Sequence, residues 1–174
     1  MREASEDDLK GAMRMLLDQG TASRFLLQTS SRDVTIVIPF SSKPIDQWEV
    51  KGNADDDLSR LLAQINAQQA EGGTDIFTPV LQARDAIRKL PDLEGYSPAI
   101  ILMTDGKSES GMSLDHFRQV WQSAGRAGDV PIYSITFGSA DDTQLKQLAE
   151  LSSGRVFDGR SDLIRAFRQA RGYN

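Results

Sequence analysis

Gly72-Gly73-Thr74-Asp75-Ile76-Phe77-Thr78-Pro79 and Ala99-Ile100-Ile101-Leu102-Met103-Thr104-Asp105-Gly106 are the stretches that decide the fold of this chain. The first is a glycine turn that opens a helix, with Thr78 as cap and Pro79 at the first helical position. The second is apolar almost throughout, as a strand covered on both faces must be. It ends on a carboxylate and a glycine. In open α/β sheets, ligands bind at the carboxyl ends of the strands. Asp105 stands at such an end, and the glycine turn can bring Thr74 beside it. A carboxylate and a hydroxyl meeting there suit a hard divalent cation, which takes oxygen ligands.

Outward from these stretches, strands and helices alternate. Upstream, Ser5 caps a first helix whose Leu9, Met13, Leu16 and Leu17 share one face. A short helix carrying Phe25 to Leu27 follows. The β-branched run Val34–Phe40 reads as a strand with Pro39 near its end, and Ile45–Val50 as a short edge strand. Asn53 or Asp55 caps a helix with Leu58, Leu61, Leu62 and Ile65 as its buried stripe. In the helix after Pro79, Val80, Leu81, Ile87 and Leu90 face inward, and Arg84 and Arg88 face solvent.

Downstream, Ser113 caps a helix burying Leu114, Phe117, Val120 and Trp121. Pro131–Phe137 is a strand, and Asp141-Asp142 opens a helix with Leu145, Leu148 and Leu151. Arg155–Phe157 is a short strand. Ser161 caps a last helix burying Leu163, Ile164 and Phe167. The alternation predicts an α/β fold with a doubly wound, mostly parallel sheet flanked by helices, residues 1–174 forming one domain.

Composition narrows the function. The chain has 174 residues, 39% hydrophobic and 26% charged, with a net charge of −5. Its acids and bases are mixed, which argues against nucleic acid as a partner, since a phosphate backbone calls for a basic face. With no cysteine and one histidine, His116, thiolate or imidazole-rich metal sites lack ligands. No apolar run reaches the ~20 residues of a membrane span. The compartment stays open.

The order of these pieces resembles a von Willebrand factor type A domain over most of the chain. Three segments carry the likeness: Val34–Phe40 followed by Ser41-Ser42, the Gly-Gly-Thr-Asp turn at 72–75, and Leu102–Gly106. The resemblance implies a Rossmann-like fold and a non-enzymatic protein-binding module. It implies magnesium or manganese at the top of the sheet, with an acidic side chain of a protein partner often completing the shell. On this likeness Thr74 and Asp105 are the metal ligands. Asp75, Ser41, Ser42, Gly106, Lys107 and Ser108 form the partner-binding rim.

One departure matters. The family's first strand ends in Asp-x-Ser-x-Ser, and no such motif precedes the helix at Ser5. In the family's sheet order, 3-2-1-4-5-6, that strand is central. The chain is therefore expected to resemble a domain begun one strand late, as part of a larger protein, with Val34–Phe40 and Ala99–Thr104 about 10 Å apart. One carboxylate and one hydroxyl make an incomplete site, with weak metal binding or none by this chain alone. The C-terminal part resembles bacterial members fused behind a solute-binding-like region.

Plainer readings stand beside these. Asp-Gly is a common turn pair, and Asp75 equally suits a helix cap. Asp55 to Asp57 complement a helix dipole rather than form a metal cluster. Trp48 either meets a partner or covers the sheet edge. Ser41 and Ser42 have no histidine nearby, so neither reads as a nucleophile. A receiver-like or phosphoryl-transfer domain using Asp105 is the enzymatic alternative. It lacks an acidic pair after Val34–Phe40 and a lysine after Phe137. A metal-free structural or assembly domain is the third.

Overall fold

A computed structural model describes residues 2–69, 72–105, 107–125, 130–137, 142–159, 164–165 and 167–168. Helices α1 (Arg2–Leu17) and α2 (Gln19–Arg24) precede β1 (Val34–Val37) and β2 (Trp48–Lys51). Then come α3 (Asp55–Ala67), α4 (Phe77–Arg88), β3 (Ile100–Thr104), α5 (Leu114–Ser123), β4 (Ile132–Thr136), α6 (Thr143–Ser152) and β5 (Arg155–Asp158).

The strands form two sheets. β3, β4 and β5 are parallel, with Ile100 opposite Ile132 and Ser134 opposite Val156. β1 and β2 form an antiparallel pair, Val34 opposite Lys51. Among the described residues no strand joins the two sheets. The expected strand to Phe40 stops at Val37. Proline has no N–H to give a ladder, and beyond Pro39 the chain turns back. The Pro39 carbonyl accepts the Ile45 N–H at 2.8 Å, and Phe40 bridges Pro44. The edge strand accordingly begins at Trp48 rather than Ile45.

Side chains alternate across β3 as its pleat requires. Ile100 and Leu102 enter a core built from α4, α5 and α6, centred on Phe77, Phe117, Trp121, Leu145 and Leu148. Ile101 and Met103 turn to the opposite face, toward α1 and α2. Phe117 is fully buried, with its ring 5.3 Å from Phe77 and 5.4 Å from Trp121. Each such ring pair adds about 0.5–1.5 kcal/mol beyond area burial. On the other face α1 spans both sheets. Its Leu16 packs with Ile135 and Phe137 on one side and with Leu58 and Leu61 on the other.

Helix starts follow local chemistry, with corrections. α1 begins at Arg2, so Ser5 lies inside it. Asp18 separates α1 from α2 by accepting the Thr21 N–H at 2.6 Å. Ala54, with no side-chain cap, precedes α3, and Asp55, Asp56 and Asp57 fill its first turn, where the dipole favours acids. Ser113 caps α5 as expected, accepting the His116 N–H, and His116 itself is exposed. Phe167 is buried beside Ala12 and Phe137. Asp141, Ser161 and Leu163 lie outside the described residues.

α4 departs most from expectation. It begins at Phe77, so Thr78 is inside it and Asp75 supplies the capping carboxylate. Arg84, expected in solvent, is only 5% exposed. Its guanidinium lies 5.3 Å from the ring centroid of Trp121, and its Nη1 reaches the Val120 carbonyl at 3.4 Å. Four residues after Val80 and three before Ile87, Arg84 occupies the apolar stripe itself. Trp121, on α5, gives it a face to stack on.

The end of α6 is tied to the sheet. The buried Ser152 hydroxyl donates to the Leu148 carbonyl at 2.8 Å and accepts the Ile132 N–H at 3.0 Å. Just beyond, a Cβ on Gly154 would lie 1.8 Å from the Ile132 carbonyl oxygen, so only glycine lets the chain cross β4 there. No described helix is long and apolar enough to cross a membrane.

Candidate functional site

Three loops meet at the carboxyl ends of β1 and β3. The loop after β1 curls on itself, Ser41 N–H donating to the Lys43 carbonyl at 3.0 Å. The Ser41 carbonyl accepts the Asp75 N–H at 2.7 Å. The Thr74 carbonyl accepts the N–H groups of Glu109 at 2.9 Å and Ser110 at 3.2 Å. The peptide unit between Thr74 and Asp75 thus bridges the loop after β1 and the loop after β3. Thr74 and the loop that follows Asp105 share one end of the molecule.

Ser108 locks the third loop in place. Its Oγ accepts the Ile76 N–H at 3.2 Å, and the hydroxyl points toward the Thr74 and Ser110 carbonyls, each at 3.4 Å. Its backbone makes a two-way bond with the Gln144 side chain. Ser108 N–H donates to Oε1 at 2.7 Å, and Nε2 donates to the Ser108 carbonyl at 3.3 Å. An amide side chain presents one donor and one acceptor, which matches a backbone unit. Sequence reading missed Gln144. Its place in the first turn of α6, the helix that follows β4, put it at the same sheet end and was the available signal.

Asp75 is correctly read as a cap and does not line the rim. It is 2% exposed, and three donors take its carboxylate: Phe77 N–H at 3.0 Å, Thr78 N–H at 3.2 Å and Thr78 Oγ1 at 2.6 Å. Gly111, at φ +73°, packs directly against it. The other expected site residues lie nearer solvent. Ser42, Asp105 and Lys107 are exposed, and Ser41, Thr74 and Ser108 are half-buried. Gly106 lies outside the described residues. Trp48 is half-buried, donates to Asp46 at 2.9 Å and packs over α3, covering the sheet edge.

The donor set does not fit a tightly held divalent ion. Among the described residues no three His, Cys, Asp or Glu side chains come together. The one buried carboxylate of the site, Asp75, is engaged by α4. Asp105 and the Thr74 hydroxyl remain, and the Ser110 hydroxyl is shut from solvent without a hydrogen-bond partner. Magnesium demands near-octahedral oxygen coordination, and a single carboxylate leaves most of it to water.

With this geometry in view, comparison with known proteins is decisive for the family. The family model for the von Willebrand factor type A domain matches residues 10–164. The chain belongs to the von Willebrand factor type A family. No curated protein sequence matches it. Among solved structures, it is similar to a von Willebrand factor type A protein from Catenulispora acidiphila, with a TM-score of 0.71 at 18% identity. That match covers 94% of this chain and 37% of the other. It is also similar to proximal thread matrix protein 1 from the mussel byssus, with a TM-score of 0.60 at 19% identity, covering 97% of this chain and 42% of that one. At such identities these solved structures support the fold alone. The chain spans less than half the length of either.

Proposed function

We propose that this type A domain is a non-enzymatic protein-interaction module. Its rim of Ser41, Ser42, Thr74, Asp105, Lys107 and Ser108 docks a protein partner without a tightly held metal. One observation carries the reading. Three loops from distant parts of the chain are cross-linked by backbone hydrogen bonds at Thr74 and Ser41, which holds exposed Ser42, Asp105 and Lys107 on a fixed frame. Rigid presentation lowers the entropy cost of association. The chemistry for catalysis is thin. Ser41 and Ser42 follow β1, whereas the sole histidine sits exposed on α5.

In the complete family site a magnesium or manganese ion receives an acidic partner side chain. Here the ligands on hand are Thr74 and Asp105, and binding of the ion is weak or absent. Calorimetric titration with each ion tests this. Micromolar affinity, lost in Asp105→Ala, would overturn the incomplete-site reading. A photo-crosslinking residue placed at Ser42 or Lys107 should trap a discrete protein from the native host, whereas one at Arg88, on the exposed side of α4, should not. Equal trapping at all three positions would count against the rim.

A further inference from the structure

A groove of about 340 Å³ lies between α4 and the chain entering β2. Leu81, Gln82, Asp85, Ala86 and Lys89 line it from one flank of α4, and Gln47 lines it from the other side. These α4 residues recur at spacings of three and four, which places them on one flank of a helix. Leu81 is buried and Ala86 half-buried, so the lining is apolar at its base and polar around it. None of the rim residues Ser41, Ser42, Thr74, Asp105, Lys107 and Ser108 takes part. The volume is at the small end of the range for ligand sites, about 300–1,000 Å³.

The polar groups of the groove are held in place with bonding capacity to spare. Gln82 Nε2 donates to Gln47 Oε1 at 3.0 Å. The pair keeps Gln47 Nε2 as a donor and Gln82 Oε1 as an acceptor, and neither has a partner among the described residues. A donor beside an acceptor is the complement of one backbone peptide unit. The Asp85 side chain is 52% exposed, and its Oδ1 lies 3.3 Å from the guanidinium of buried Arg84. Its Oδ2 has no partner among the described residues. Lys89 pairs with no acid there. Asp85 and Lys89, four residues apart on α4, are separated by about 6 Å along its axis. In an extended chain, residues two apart share a face and are about 6.7 Å apart. The two spacings match.

We propose that this groove binds an extended segment of a partner protein, with a peptide unit on the Gln47–Gln82 amides, a basic side chain against Asp85 and an acidic one two residues away against Lys89. The contact is separate from docking at the rim. Charge complementarity selects the segment, because the groove offers one charge of each sign at strand spacing. A helical occupant matches the charges but not the amides, since its own backbone groups are bonded internally. At about 10–12 Å across, a helix is also too wide for so small a groove. Arg84 holds Asp85 from the buried side, and a group fixed before binding lowers the entropy cost of association.

The probe is a capped peptide of about five residues, a common strand length, with lysine second, glutamate fourth and alanine elsewhere. Two further peptides carry lysine or glutamate at both positions. Binding to the intact chain is read from the side-chain amide signals of Gln47 and Gln82 in nitrogen-15 spectra. The mixed peptide should move both signals, with millimolar affinity, and the two like-charged peptides should bind about fivefold more weakly or worse. Lys89 is exposed, so Lys89→Glu leaves the fold intact and should make the two-lysine peptide the best ligand. Gln47→Ala should weaken all three peptides alike, because it removes a contact to backbone. Free glycine, which has both charges but no peptide unit, should not compete. No movement of the Gln47 and Gln82 signals with any peptide would overturn the proposal. So would equal binding of the three peptides, an unchanged preference in Lys89→Glu, or displacement by glycine, which would mark a site for small zwitterions instead.

Discussion

The carboxylate of Asp75 occupies the space where any side chain at Gly111 would begin: a Cβ there would lie 2.1 Å from Oδ2. The loop after β3 and the start of α4 are therefore fitted to each other at the level of a single methyl group. Gly111→Ala adds that methyl at φ +73°, a conformation that itself costs an L-residue about 1 kcal/mol. It also displaces a buried carboxylate holding three donors. Denaturant unfolding should show a loss of roughly 2–4 kcal/mol. A loss under half a kcal/mol would mean the Asp75 cap is not held as described.

The stacking of Arg84 on Trp121 makes a second prediction. Arg84→Lys keeps the charge but loses the planar face and the fork that reaches Val120. The expected cost is about 1–2 kcal/mol. Arg84→Met, which fills the volume without a buried charge, should be better tolerated than Arg84→Ala, which leaves a cavity under Trp121. Thermal and denaturant unfolding of the three variants would order them. Lysine matching wild type would show that the stack contributes nothing.

Gln144 ties Ser108 to α6, yet its side chain supports no core. Gln144→Ala should leave overall stability within about 1 kcal/mol of wild type. Amide exchange at Ser108 to Ser110 should nevertheless rise, because the loop loses its anchor on that side. Unchanged exchange there, with a large drop in melting temperature instead, would place Gln144 in the folding core rather than at the rim.

Asp18 sets a pH dependence. Hydrogen bonds from Thr21, through its side chain and then its backbone, hold the Asp18 carboxyl below its ordinary value of 3.8. A depressed folded value contributes stability that is present above the unfolded value and lost as pH falls through the folded one. Wild type should therefore lose stability below about pH 4 partly through this group. Asp18→Asn caps nearly as well at any pH. It should flatten that part of the acid limb. An acid limb of the same slope in both proteins would exclude Asp18 as a contributor. The group is fully exposed, so the effect is small and is read as a difference between two curves.

The chain is legible where pattern and packing agree. Ile100 to Thr104 could hardly be anything but a buried strand. Leu58, Leu61 and Ile65 do form the inner stripe of α3, and Ser113 does cap α5. Arg84 departs from the solvent position its charge suggests because its place in the helical period is on the apolar stripe. Of the two caps the sequence offers, Thr78 lies inside α4 and Asp75 reaches the free N–H groups.

Local chemistry alone determined the alternation of strands and helices, the glycine turn before α4, and the carboxylate after β3. These follow from side-chain period, backbone conformational limits and missing donors, all properties of neighbours along the chain. Tertiary structure decided what Arg84 stacks on, that Gln144 braces the loop at Ser108, and that Gly111 closes over Asp75. Those outcomes depend on contacts between residues tens of positions apart, and no local pattern encodes such contacts.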